Sequence, residues 1–158
     1  LPAGRLLAVI RYQRPELPED PPDLRQRLGS NQGSLYKHVF LADSDDNGLT
    51  WNNLRQLTTV FGQCHGCAAG LTDNRVVVFH DHRYPSELAG GRAMVSHDDG
   101  KTFEDEAYYL CHGVNAGHAR TVTLDGEEML TMVGANQNPI EPIPVGQTSF
   151  SIIRWRLV

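Results

Sequence analysis

The segments Ser44-Asp45-Asp46-Asn47-Gly48-Leu49-Thr50-Trp51 and Ser96-His97-Asp98-Asp99-Gly100-Lys101-Thr102-Phe103 both read Ser-x-Asp-x-Gly-x-Thr-aromatic. Five positions recur in register at a spacing of 52 residues, and a repeat of that period points to an array of similar supersecondary units. The motif has the logic of a hairpin turn. The short carboxylates of Asp46 and Asp98 can accept hydrogen bonds from backbone N–H groups of the turn. Gly48 and Gly100 supply a positive φ that a Cβ would resist. Trp51 and Phe103 open the next strand with a large apolar surface. None of this requires catalysis, and a structural role is the reading for both copies.

A second repeat supports the first. Leu1-Pro2-Ala3-Gly4-Arg5-Leu6-Leu7-Ala8-Val9-Ile10, Leu71-Thr72-Asp73-Asn74-Arg75-Val76-Val77-Val78-Phe79 and Leu124-Asp125-Gly126-Glu127-Glu128-Met129-Leu130-Thr131-Met132 share one plan: a leucine, a Gly or Asn turn, a polar residue and a β-prone run. Asn74 to Gly126 is again 52 residues, whereas Gly4 to Asn74 is 70, which leaves 18 extra residues in the first unit. They fall between Tyr12 and Tyr36, among Pro15, Pro18, Pro21 and Pro22 and a polar Gly-Ser-Asn-Gln-Gly stretch, and read as an inserted loop. Strands are expected near 5–11, 36–43 and 53–60, then 65–70, 75–80, 91–96 and 104–110, then 118–124, 127–133 and 149–157. No segment carries sustained helical periodicity apart from the acidic stretch 16–28, whose prolines oppose a long helix.

The two boxes resemble the Asp-boxes of the sialidase (neuraminidase) superfamily and of related BNR-repeat β-propellers, where the box joins the third and fourth strands of a blade. The resemblance implies an all-β fold, a partial sialidase-like propeller of about three antiparallel four-stranded blades. One domain is expected over 1–158: blade I at 1–60 with the inserted loop 12–35, blade II at 61–110, and blade III at 111–158. Unit one lacks an innermost strand and unit three an outermost one, and the ending Trp155-Arg156-Leu157-Val158 looks like that family's C-terminus. The chain thus resembles the C-terminal half of a six-bladed ring. Either it is a fragment, or half-propellers pair as a homodimer to close the ring, since open edges left unpaired are an aggregation hazard.

Composition bounds the partners. A formal net charge of −5 without a basic run argues against nucleic acid, and no apolar run approaches the length of a membrane span. Three cysteines do not make a disulfide framework. Cys64-His65-Gly66-Cys67 has metal-type spacing, but a single such pair on a strand reads first as reduced, buried thiols.

Blade geometry sorts the loops onto two faces. The boxes and the Gly4, Asn74 and Gly126 turns take one face. The other collects 11–35, 60–65, 80–91, 111–118 and 134–149, the irregular connections where a rigid scaffold carries function. His65, His80, His82, His112, His118, Arg11, Arg14, Arg83, Arg92, Arg120, Asn115, Asn136, Gln137 and Glu141 lie there. The resemblance implies that Arg11 and Arg83 match two of the three arginines with which sialidases hold a substrate carboxylate, as a bidentate guanidinium can. Arg83 is out of step, because the 70-residue offset from Arg11 lands on Asp81. Capping a strand or pairing with Glu16 or Glu87 is the competing role for either arginine. The family's nucleophilic tyrosine is replaced by His118 in Ala116-Gly117-His118-Ala119-Arg120, and imidazole suits acid/base work or metal binding rather than phenolate chemistry. The acid/base aspartate, the first arginine and the activating glutamate of the family have no counterpart within the chain.

The expected site is therefore His118 as the catalytic position, with Arg11, Arg83, His65, His82, Arg120 and Asn136 binding substrate. His65, His82 and His118 could converge on a zinc ion, but satisfied or solvated histidines are the default, and no metal or cofactor is expected. The functional expectation is a sialidase-like, glycoside-hydrolase-related domain that recognises an acidic or modified sugar without forming a complete sialidase site. The alternative is a non-catalytic propeller that binds glycan or protein through the same face. No targeting segment is present in the sequence to suggest a location.

Overall fold

A computed structural model describes residues 1, 4–15, 17–20, 36–59, 62–82, 90–103, 107–112, 119–135 and 149–158. Every element in them is a strand: β1 (Leu6–Arg14), β2 (Tyr36–Ser44), β3 (Asn52–Gln56), β4 (Gln63–Gly70), β5 (Val76–His82), β6 (Gly90–Ser96), β7 (Ala107–His112), β8 (Arg120–Thr123), β9 (Glu128–Ala135) and β10 (Ser149–Arg156). They form three antiparallel sheets, ordered β1-β2-β3, β4-β5-β6-β7 and β10-β9-β8. The all-β expectation holds, and each described strand overlaps an expected one. Among the described residues, however, only the middle sheet has four strands, and no sheet there is closed on itself. β1 runs on to Arg14, past the expected strand end at residue 11. β3 stops at Gln56, short of the expected residue 60. Residues 16 and 21–35 of the expected inserted loop lie outside the described residues.

The middle sheet is sandwiched, which explains its sequence. β5 reads Val-Val-Val-Phe-His-Asp-His and is buried throughout; its run Val76–Phe79 is the continuous apolar stretch that a strand covered on both sides needs. Alternate residues serve the two interfaces. Val78 packs with Val39, Leu41, Leu57, Leu7 and Val9 of the first sheet. Val77 packs with Leu71, Val95, Met129 and Trp155, and Phe79 with Ala119, Val133 and Ile153, against the third sheet. Full burial of the Phe79 side chain contributes roughly 2–3 kcal/mol. Its ring is admitted by Gly91, where a Cβ would stand 2.6 Å from Phe79 Cζ. Cys67 and Cys111 are free thiols packed against this cluster.

The two boxes fold alike, bond for bond. In the first, Ser44 Oγ donates to Asp46 Oδ1 (2.8 Å) and accepts from Gly48 N–H (2.8 Å), while Thr50 N–H donates to Asp46 Oδ1 (2.9 Å) and Thr50 Oγ1–H to Oδ2 (2.5 Å). In the second, the same bonds run Ser96–Asp98 (2.7 Å), Gly100–Ser96 (2.8 Å) and Thr102–Asp98 (2.8 and 2.7 Å). Gly48 and Gly100 take φ of 87° and 75°. The hydroxyl and N–H of Thr50, then Ser44, hold the Asp46 carboxyl down at about 2, and the matching bonds depress Asp98 further.

Hairpin registers refine the second repeat. Leu6 faces Ser44 and Val76 faces Ser96, which keeps the 70-residue offset between β1 and β5. Leu71 N–H donates to Arg75 O (2.8 Å) and Leu124 N–H to Glu128 O (2.7 Å). In backbone register the second and third hairpins are therefore 53 residues apart, not 52. The positive φ sits on the last loop residue in one, Asn74 (65°), and on the middle one in the other, Gly126 (94°). A Cβ on Gly126 would lie 2.2 Å from Thr72 Cγ2, and Thr72 N–H donates to Gly126 O (3.0 Å), so the two hairpins touch.

The first and second sheets are tied on this same side by a polar cluster. Asp43 accepts from Arg5 Nη1 (2.7 Å), Asn53 Nδ2 (2.8 Å) and Arg55 Nη1 (2.7 Å), and Arg55 Nη2 donates to Gly100 O (2.6 Å) in the second box. Burial pushes the Asp43 carboxyl up, but the hydrogen bonds from Arg55 and Asn53 and the two guanidinium charges outweigh it and hold it below its ordinary value.

Candidate functional site

The antiparallel registers place the ends of β1, β5 and β9 and the starts of β4 and β8 at the edge opposite the boxes. Along β1, Leu7 and Val9 face the middle sheet in the apolar cluster. Arg11, two residues on, continues that row where the packing opens to solvent. It lies within β1 rather than at its end, paired with Val39.

The partner of Arg11 is set by a break in β4. Cys64 pairs with Asp81 and Cys67 with Phe79, so His65 and Gly66 together oppose His80 alone, a β-bulge. His65 takes φ of 54°, in the left-handed region that a non-glycine residue enters only where its surroundings compel it. The constraint is visible at Gly66, where a Cβ would lie 2.5 Å from Val9 Cγ1 and 2.9 Å from Val39 Cγ1. Sheet one packs directly on the bulge backbone.

A hydrogen-bonded chain results. Arg11 Nη1 lies 2.6 Å from His65 Nε2, and His65 Nδ1 lies 3.1 Å from Asp81 Oδ2. The Asp81 side chain has no solvent exposure and that of His65 is 11% exposed. A guanidinium carries only donors, so Nε2 accepts from Arg11 and the proton resides on Nδ1, donated to Asp81. The structure thus holds a neutral imidazole in one tautomer between a solvent-facing cation and a buried carboxylate.

The other expected residues divide. His82 is buried at the end of β5, with Gln63 as its register partner. His80 is also buried and its Nδ1 lies 3.1 Å from Asp81 O. Burial lowers its pKa to about 4, which keeps it neutral, and both read as core histidines. Arg120 is exposed at the start of β8 and donates to Ala119 O (2.9 Å). Arg14, at the end of β1 on the outer side of the first sheet with Ile10 and Tyr12, is engaged by Asp20 through two bonds of 2.6 Å and stacks on Tyr36 at 4.1 Å. His118, Arg83 and Asn136 lie outside the described residues. Among the described residues, no cluster of three or more His, Cys, Asp or Glu side chains is arranged to hold a metal ion.

Asp81 is the site residue that the sequence reading did not select. The signal was present in the repeat. The 70-residue offset makes Asp81 the positional counterpart of Arg11, and the fold brings the two to opposite ends of one hydrogen-bonded chain through His65. No family model matches the chain, and no curated protein matches it.

Proposed function

We propose that the chain is part of a sialidase-like, Asp-box β-propeller that recognises an acidic or modified sugar on the face opposite the boxes, and that it is related to glycoside hydrolases. The observation that carries this reading is Arg11. It presents a solvent-facing guanidinium at the open end of an interface between sheets, held 2.6 Å from an imidazole, and such a group recognises a carboxylate through charge-assisted, bidentate hydrogen bonds. Two boxes with the same bonding and three stacked meander sheets support the propeller architecture. Ile10, Tyr12 and Leu54 on the outer side of the first sheet, and Val122, Phe150 and Ile152 on that of the third, are exposed. Further blades would cover such faces, and a second copy closing the ring is the partner this reading favours.

The reading is tested on a panel of carboxylated and neutral glycosides, measured for release and for binding. Arg11→Ala is expected to weaken binding of carboxylated members roughly 10- to 100-fold, the equivalent of about 1.5–3 kcal/mol for hydrogen bonds to a charged group, and to leave neutral members unchanged. Equal loss across both sets overturns carboxylate recognition, and a stable monomer in light scattering overturns the closed dimer. The second reading, binding without turnover, is favoured by one observation: His118 stands where the resembled family has its nucleophilic tyrosine.

A further inference from the structure

The geometry of Arg11, His65 and Asp81 points to a reaction class, and we propose that His65 removes the proton from the carbon next to a carboxylate held by Arg11. The substrate is then a hexuronate within a glycan, cleaved by elimination rather than hydrolysis. This inference rests on the acidic-sugar reading above and goes beyond it in naming both the substrate class and the chemistry.

Three features support it. The first is proximity. Nη1 of Arg11 and Nε2 of His65 are 2.6 Å apart, so a carboxylate that takes over the guanidinium displaces Nε2 from it and leaves the two side by side. The carbon next to that carboxylate is two bonds from the bound oxygen, so a base beside that oxygen is placed to approach it to the roughly 3–3.5 Å that proton abstraction needs. The second is protonation state. Asp81, buried and accepting from Nδ1 at 3.1 Å, keeps the lone pair on Nε2, the tautomer a base on this face needs. The third is rigidity. The left-handed backbone of His65 and the contact of Gly66 with Val9 and Val39 fix the bulge that aims the ring.

The step balances without an oxidant or reductant. The carbon-bound proton passes to Nε2 and the C–H electron pair moves toward the carboxylate, whose growing charge Arg11 stabilises. That pair then forms a double bond to the neighbouring ring carbon, whose bond to the glycosidic oxygen breaks. The departing oxygen takes a proton from the His65 imidazolium or from water, and the imidazole returns to its neutral form. A glycoside of a 2-keto sugar acid has no hydrogen on the carbon that bears its carboxylate and cannot follow this course.

The test uses polygalacturonate, alginate and hyaluronate as probes, with binding measured by calorimetry. Turnover is followed by reducing ends and by the short-wavelength ultraviolet absorbance of the conjugated, unsaturated product. The expected result is absorbance rising in step with reducing ends. His65→Asn, chosen because asparagine tolerates the left-handed conformation, should lower turnover at least about 100-fold while binding persists. Asp81 is a positioning residue, so Asp81→Asn should lower turnover and also shift the His65 proton from Nδ1 to Nε2, read from the imidazole nitrogen resonances. Reducing ends without absorbance, or binding without turnover, would overturn elimination and leave carboxylate recognition standing. Failure of every polyuronate to bind would overturn the hexuronate substrate and the elimination together, and the acidic-sugar reading falls only if the other carboxylated glycosides of the wider panel fail to bind as well.

Discussion

Gly66→Ala tests whether the site depends on the contact between the first two sheets. The new Cβ would stand 2.5 Å from Val9 Cγ1 and 2.9 Å from Val39 Cγ1, whereas carbon pairs rest at about 3.5–4.0 Å. The gap must open by about 1 Å. Neither valine can turn away, because two heavy atoms on Cβ hold χ1 in one preferred well, and both belong to the packed interface with Val78. Overpacking of this kind costs about 1–3 kcal/mol, and at 158 residues each kcal/mol lowers Tm by about 2–4 °C. The same displacement lengthens the bond from Arg11 on sheet one to His65 on β4. The control is Gly70→Ala on the same strand, where the nearest atom is Leu1 Cδ2 at 3.9 Å. Thermal unfolding of both variants, with the His65 nitrogen resonances recorded alongside, is the assay. If Gly66→Ala melts with Gly70→Ala and leaves those resonances unchanged, the tight seating of sheet one on the bulge is wrong.

Other perturbations probe different parts of the molecule. Burial lowers the His80 pKa to about 4 from an unfolded value near 6.5. Its contribution is therefore fully present above pH ~6.5 and is lost as pH falls toward 4, an effect of order 3 kcal/mol that His80→Gln should remove from a pH series of denaturant melts. Arg55→Met removes the donors to Asp43 and Gly100 O that join the first sheet to the second box. It should destabilise by about 1–3 kcal/mol in urea unfolding, and Arg55→Lys should not restore the loss, because an ammonium lacks the fork that reaches both acceptors. The Asp46 carboxyl, held at about 2, favours the folded box above the unfolded pKa near 4 and loses that advantage as pH falls toward 2. A carboxyl titration followed by NMR should show Thr50→Val moving the Asp46 midpoint upward.

Legibility differed between fold and site for a physical reason. Strands announce themselves locally. The run Val76–Phe79, the turn residues Asn74 and Gly126 and the two boxes each carry their conformation in a few neighbouring residues, so strand positions could be read directly. Where the local rule was loose, the reading slipped. A three-residue loop accommodates its positive φ at either of two places, which is why the third hairpin sat one residue away from its expected register. The site was legible only in part. Arg11 and His65 stood out as polar residues and the fold brings them together, but His82 turned out to be buried in the core, because alternation along a strand gives a face without telling what covers it.

By itself, the sequence determined the all-β class and the meander order of the strands, since period-two patterning and turn residues act over a few positions. Only the tertiary structure decided which side chains meet. The bulge at His65–Gly66 leaves no mark in composition or periodicity. It exists because Val9 and Val39 of another sheet press on a backbone that only glycine leaves open. That contact brings a residue of β1, one of β4 and one of β5 into a single hydrogen-bonded chain, spanning separations of 54 and 16 residues, which no local rule encodes.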